Sequence, residues 1–357
     1  MRTAFTELVG VRHPIVQTGM GYVAGARLAA ATSAAGGLGV IASATMSLDQ
    51  LRAAIGEVRG TGAPFGVNLR ADAADAADRV ALLIAERVPV ASFALAPTRE
   101  LIGRLKDAGV VVIPSVGARR HAEKVAAWGA DAVIVQGGEG GGHTGPVPTT
   151  LLLPQVVDAV DIPVIAAGDF FDGRGLVAAL AYGAAGVAMG TRFLLTTDSP
   201  VADAVKDVYL AAPVTGTVVT TEVDGVPHRV LRTPFVQRLG RRGAALRAVR
   251  NAARFRRLSG TSWPALLREA AAMRRGRELR WSQVLMAANT PMLLRAAMVD
   301  GRPDLGVMSA GQVVGVIDDL PSAAELIERI MTEAEATLDR LRPDRALSRR
   351  DPAAGSR

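Results

Sequence analysis

The 357-residue chain contains no cysteine. That absence excludes a disulfide framework, a thiolate metal site and a cysteine nucleophile. It suits a reducing compartment, and a cytoplasmic location is expected. Lysine is scarce: Lys106, Lys124 and Lys206 are the whole complement. Positive charge is therefore almost entirely guanidinium, a group suited to bidentate phosphate contacts. Aromatic residues make up 4%, few for a protein that stacks bases. No nucleic-acid module is recognisable, so no nucleic-acid partner is expected. Long apolar runs are missing too. The longest uncharged stretch, residues 28–48, is mostly Ala, Gly, Ser and Thr and is broken by Gly36-Gly37-Leu38-Gly39. No membrane span is expected. Residues 1–16 carry Arg2, Glu7 and Arg12, which leaves no apolar core for a secretory signal.

What is present is an apolar chain, 49% hydrophobic and 21% charged, with 38 glycines. A chain of this size hides about three-quarters of its unfolded surface. The net charge of +7 is unevenly placed. Thirteen Arg and two Glu fall between Arg238 and Arg280, a local +11, so the remainder is −4.

Up to Arg192 one rhythm repeats: a short apolar run, an Ala-rich helical stretch, a glycine, the next run. The runs are residues 15–17, 38–41, 65–68, 90–94, 110–113, 132–135, 164–166 and 186–189. Near-continuous apolar runs are what buried parallel strands require. Eight strand–helix units predict an α/β fold, a (β/α)8 TIM barrel. The competing reading is a doubly wound sheet, because Gly140-Gly141-Gly142-His143-Thr144-Gly145 fits G-x-G-x-x-G. Pro146 and Pro148 then prevent the loop from opening directly into a helix, and no ribose-binding acid stands at the usual offset.

After Arg192 the rhythm stops. Residues 217–232 read as a hairpin with an Asp224-Gly225 turn. Residues 235–295 read as an Arg-rich helical subdomain inserted over the barrel mouth. Ser322 with Glu325 resembles a capping box. The helix it opens places Ile327, Met331, Ala334, Leu338 and Leu341 on one face. The expected organisation is a barrel over 1–215, the hairpin and insert over 216–300, a return and closing helix over 301–341, and a disordered tail over 342–357.

Barrel enzymes place their working residues at the C-terminal ends of the strands. There the sequence offers Thr18 to Gly21, Asn68, Ser115, Gln136 with the glycine loop, Gly168-Asp169 and Gly190-Thr191. Glycines after strands seven and eight suit a phosphate, since backbone N–H groups approach closely only where no Cβ intervenes. His143, in a loop of glycines, is a candidate general acid or base. His13 and His228 adjoin prolines and His121 sits between charged helix residues, so these three read as structural. No H-E-x-x-H is present and Glu139 shares a loop with His143, so no metal site is expected.

These residues resemble the nitronate monooxygenase family (formerly 2-nitropropane dioxygenase) of FMN-dependent barrels. The likeness covers residues 5–341. It rests on residues 13–20, Gly66-Val67-Asn68, residues 136–145, Ile165-Ala166-Ala167-Gly168 and residues 189–193. The resemblance implies that His143 is catalytic. It implies FMN contacts at Met20 and Gly21 beside the ring, at Asn68 and Gln136 as polar partners, and at Gly141 and Gly142 in the loop. Gly168, Gly190 and Thr191 would hold the phosphate. Asp169 departs from the family's second glycine, and a carboxylate beside a phosphate repels it. Residues 136–153, 281–292 and 306–320 are similar to an actinobacterial branch that handles coenzyme A thioesters in steroid C/D-ring degradation. That likeness implies an NADH- or NADPH-dependent reductase of a bicyclic enoyl- or hydroxyenoyl-CoA, with the Arg-rich insert as a binder of CoA phosphates or simply a solvated surface. The alternatives are a nitronate monooxygenase and a flavin-free binding protein.

Overall fold

The computed structural model describes residues 1–95, 97–239 and 281–342. The apolar runs form β1 (Ile15–Gln17), β2 (Leu38–Ala42), β3 (Phe65–Arg70), β4 (Val90–Ala94), β5 (Val111–Val116) and β6 (Val133–Gln136), then β8 (Val164–Ala167) and β9 (Gly186–Met189). Each pairs in parallel with the next, and β9 returns to β1 through Ile15 to Val187 and Gln17 to Met189, closing the barrel. The expected (β/α)8 fold is the one observed, and the doubly wound alternative is excluded. The short strand β7 (Gly142–His143) lies outside the barrel and joins β10 (Thr217–Thr220) and β11 (His228–Leu231) in a separate antiparallel sheet.

Strand side chains alternate between two cores, as period-two geometry demands. Val16, Leu38, Val40, Val90, Ile113, Ile134 and Ile165 fill the barrel interior. Ile15, Ile41, Val67, Ala91, Val112 and Val133 face outward to the helices. The helix Ala4–Val9 plugs the N-terminal end with Phe5, and the Thr3 hydroxyl donates to the carbonyl of Ala185 just before β9. The opposite end carries the C-termini of the strands and the loops that follow them.

The closing helix, Ala323–Leu341, begins with the reciprocal Ser322–Glu325 capping box. It buries Leu326, Ile327, Ile330, Met331 and Ala334, and it packs so closely that a Cβ on Gly173 would lie 2.3 Å from the Ala334 nitrogen. The apolar face stops short of its expected end, because Leu341 is 67% exposed. Most of the Arg-rich stretch (240–280) and the tail (343–357) lie outside the described residues. Among the described residues no helix is long and apolar enough to cross a membrane.

Candidate active site

The loop after β6 is braced from both sides. The Gln136 amide nitrogen donates to the carbonyls of His143 (2.9 Å) and Gly141 (3.3 Å). Glu139 turns away from His143. Its carboxylate accepts the Thr149 N–H at 2.9 Å and the Thr149 hydroxyl at 2.9 Å, an acidic group at the start of the helix Thr149–Val157. From β11, Arg229 donates to the Gly138 carbonyl at 2.8 Å and to the Thr217 hydroxyl at 3.0 Å.

His143 is held by residues that the sequence reading assigned to structure alone. β7 pairs with β11 so that His143 lies directly opposite His228. Their rings sit 4.7 Å apart between centroids. Asp224, on the turn between β10 and β11, meets His143 Nε2 through Oδ2 at 2.6 Å. The His143 side chain is 49% exposed and that of Asp224 is 11% exposed. Burial pushes the Asp224 carboxyl up. The hydrogen bond from His143, with the electrostatic pull of the two neighbouring imidazoles, outweighs burial and holds it below the usual carboxylate range. His228 Nε2 contacts Ser309 Oγ at 2.8 Å, and the Ser309 carbonyl accepts the buried Tyr209 hydroxyl.

Residues 309–313 tie the mouth together. The Gly311 N–H donates to Thr191 Oγ1 at 3.0 Å, and the Gln312 N–H donates to the Glu139 carbonyl at 3.0 Å. Gly141 packs against the same segment, where a Cβ would come within 2.6 Å of the Ala310 carbon and the Gly311 nitrogen. Asp169 points here too: its Oδ1 would lie 2.1 Å from a Cβ on Gly311. The clash anticipated between Asp169 and a phosphate is thus moderated by direction, and also by charge. Burial, reinforced by Glu139, pushes its carboxyl up to about 7 against the opposing pull of Arg229 and the N–H groups of Gln312 and Val313.

A raised carboxyl pKa means that the folded protein keeps a proton that the unfolded chain releases near pH ~4. The stability is full below that value and declines as pH rises toward about 7. Asp169→Asn removes this decline. Denaturant melts should show the variant gaining on the wild type at pH 8 and not at pH 4.

Across the closure of the barrel, Thr18, Met20 and Gly190 converge. A Cβ on Gly190 would lie 3.3 Å from Thr18 Oγ1 and 3.5 Å from Met20 Sδ, its two nearest atoms. The turn Thr191–Leu194 that follows has no side-chain cap. Gly19 packs on Asn68, whose amide donates to Ser92 Oγ at 3.2 Å. Gly21 faces Thr45. Gly168, at φ +119°, packs against Thr149 and Gly137, so its lack of a side chain serves the approach of two turns. Gly142 takes φ +77° with open space beside it.

The nitronate monooxygenase family model covers residues 2–82 and 76–333. The chain belongs to the nitronate monooxygenase family, and it is an oxidoreductase of that family. It is 67% identical over 341 residues to the (3aS,4S,5R,7aS)-5-hydroxy-7a-methyl-1-oxo-octahydro-1H-indene-4-carboxyl-CoA dehydrogenase of Mycobacterium tuberculosis, covering 94% of this chain and 96% of that protein. The dehydrogenase of the same name from Rhodococcus jostii is 60% identical over 345 residues, covering 96% and 98%. Among solved structures, FabK from Thermotoga maritima matches with a TM-score of 0.78 at 38% identity, covering 96% of this chain and 99% of that one.

Proposed function

We propose that the protein is an FMN-dependent oxidoreductase acting on the coenzyme A thioester of a bicyclic, steroid-derived acid. The observation that carries this is the 67% identity, over nearly the whole of both chains, to a dehydrogenase of such a thioester. The relatives' name gives the oxidative direction, and the sequence motifs suggested the reductive one. Both describe the same two-hydrogen transfer.

The residues present fit the flavin. Gly190 leaves backbone approachable at an uncapped turn, and the Thr191 hydroxyl accepts the Gly311 N–H while its own hydrogen stays available for a phosphate oxygen. Met20 and Gly21 would flank the ring. Asn68, Gln136, Gly141, Gly142 and Gly168 would line it or shape the turns around it. When bound, FMN supplies the two-electron partner for the carbon β to the thioester. His143 handles the proton: it removes the acidic α-proton in the oxidative sense and returns it in the reductive sense. NADH or NADPH is the proposed electron donor for reduction, and the cytoplasm is the compartment that suits such a donor and a cysteine-free chain.

Anaerobic stopped-flow spectroscopy tests this. The purified protein should be yellow. NADH or NADPH should bleach it, and a bicyclic enoyl-CoA should restore the colour. Bleaching by propyl nitronate alone would instead establish the second reading, a nitronate monooxygenase, which the family match favours. A colourless protein that takes up no FMN would leave the flavin-free binding protein.

A further inference from the structure

We propose that Asp224 is the positioning residue of this active site: it receives the Nε2–H of His143 and leaves Nδ1 as the atom that exchanges a proton with substrate. The inference rests on the assignment of His143 as the acid–base residue made above.

Four observations support it. The 2.6 Å contact between His143 Nε2 and Asp224 Oδ2 joins residues 81 positions apart, so it exists only because the β10–β11 hairpin docks on the glycine loop. The carboxylate is itself fixed, since Asp224 Oδ1 accepts the Val226 N–H at 3.2 Å within its own turn. The exposures differ in the useful sense, with the anion shielded at 11% and the imidazole reachable at 49%. A shielded anion interacts more strongly than one in water. Finally, His228 flanks the same carboxylate oxygen: its Nδ1 lies 3.7 Å from Asp224 Oδ2 while its Nε2 is held by Ser309 Oγ at 2.8 Å. That Nδ1 is buried and without a hydrogen-bond partner, which leaves the short bond of Asp224 to His143.

A carboxylate accepts and does not donate, so the nitrogen facing it must carry hydrogen. The neutral ring is then the Nε2–H tautomer, with the Nδ1 lone pair free as a base. In the oxidative sense the substrate's α-proton moves to Nδ1, and the resulting imidazolium keeps its Nε2–H on Asp224. In the reductive sense the Nδ1 proton returns to the α-carbon. Asp224 neither gains nor loses a proton in either direction, which matches its place below the usual carboxylate range. The hairpin, outside the eight strand–helix units, thereby supplies part of the proton-transfer apparatus.

The test is isotope-labelled histidine NMR on the holoenzyme, where four histidines give four ring systems to assign. His143 should be fixed as the Nε2–H tautomer in the wild type and should become a tautomer mixture in Asp224→Asn. The same variant should lose roughly 10²-fold or more in kcat with KM for the thioester held within about twofold, and the flavin absorption spectrum should not move. A mixed or Nδ1–H tautomer in the wild type would overturn the proposal, as would a wild-type kcat in the variant. If Asp224→Asn does not fold, the wild-type tautomer alone decides. A fixed tautomer in a protein that turns over no thioester would instead count against the proposed substrate and leave the positioning role standing. The donor atoms of His143, Asp224 and His228 also lie within 4.8 Å of one another. Activity lost on dialysis against EDTA and restored by zinc would therefore overturn the hydrogen-bonded arrangement.

Discussion

His143→Ala lowers turnover by about 10²–10⁴-fold while flavin content stays at the wild-type level. The size follows from what a positioned acid or base contributes to a proton transfer. The separation of the two readouts follows from the geometry. Gln136 grips the loop through the His143 backbone carbonyl and not through its ring. β7 is paired to β11 by main-chain register. Both restraints survive loss of the imidazole, so the mouth keeps its shape. One cost is expected: Asp224, 11% exposed, loses its closest partner, and a buried charged group deprived of a hydrogen bond destabilises by about 1–3 kcal/mol. Single-turnover rates per mole of bound flavin, measured below the variant's melting transition, isolate the chemical effect. Turnover equal to the wild type would remove the imidazole from the mechanism.

The barrel was legible because burial on both faces of a parallel sheet leaves a one-dimensional trace. Each strand is a near-continuous apolar run, and the order of runs along the chain is the order of strands around the cylinder. The glycine loop was legible for a related reason, since its chemistry is packed into ten consecutive residues. The partners of His143 left no such trace. Asp224 appeared only as half of an Asp-Gly turn, and His228 as a histidine beside Pro227. Their roles come from docking a hairpin onto a loop across 81 residues, a distance at which spacing carries no signal. Arg229 reaches Gly138 across 91 residues, and Gly311 reaches Thr191 across 120. Asp169 lies between these cases. Its departure from the family pattern was visible, but its direction toward residues 311–313 depends on φ +65° at that residue and on a segment far along the chain. Leu341 shows the opposite limit: its helical spacing is right, but the barrel ends before the helix does.

Gly168→Ala is the second large effect, and here the expected loss is flavin itself. The residue sits at φ +119°, a conformation that residues with a Cβ rarely adopt and that costs about 1–3 kcal/mol to enforce. Space is lacking as well. The new methyl would lie 2.4 Å from Thr149 Oγ1 and 3.1 Å from the Gly137 nitrogen, and overpacking of this kind costs a further 1–3 kcal/mol or so. The first contact is the more damaging, because moving the Thr149 hydroxyl aside disrupts its hydrogen bond to Glu139. The turn must therefore move as a unit. Asp169 moves with it, leaving its place against Gly311, and Gly311 is the residue whose N–H holds Thr191. A displacement of the turn after β8 thus propagates to the turn after β9, where the phosphate is proposed to bind. The FMN dissociation constant of the variant should rise at least about tenfold, a loss of ~1.4 kcal/mol or more, and the purified variant should carry less flavin than the wild type. It should also melt roughly 5 °C lower. Gly62→Ala is the control: it shares a positive φ, at +70°, but has nothing within 4 Å of the added methyl. It should cost about 1 kcal/mol of stability and leave the flavin in place. Full flavin content in Gly168→Ala would show that the two turns are not coupled through Asp169 and Gly311.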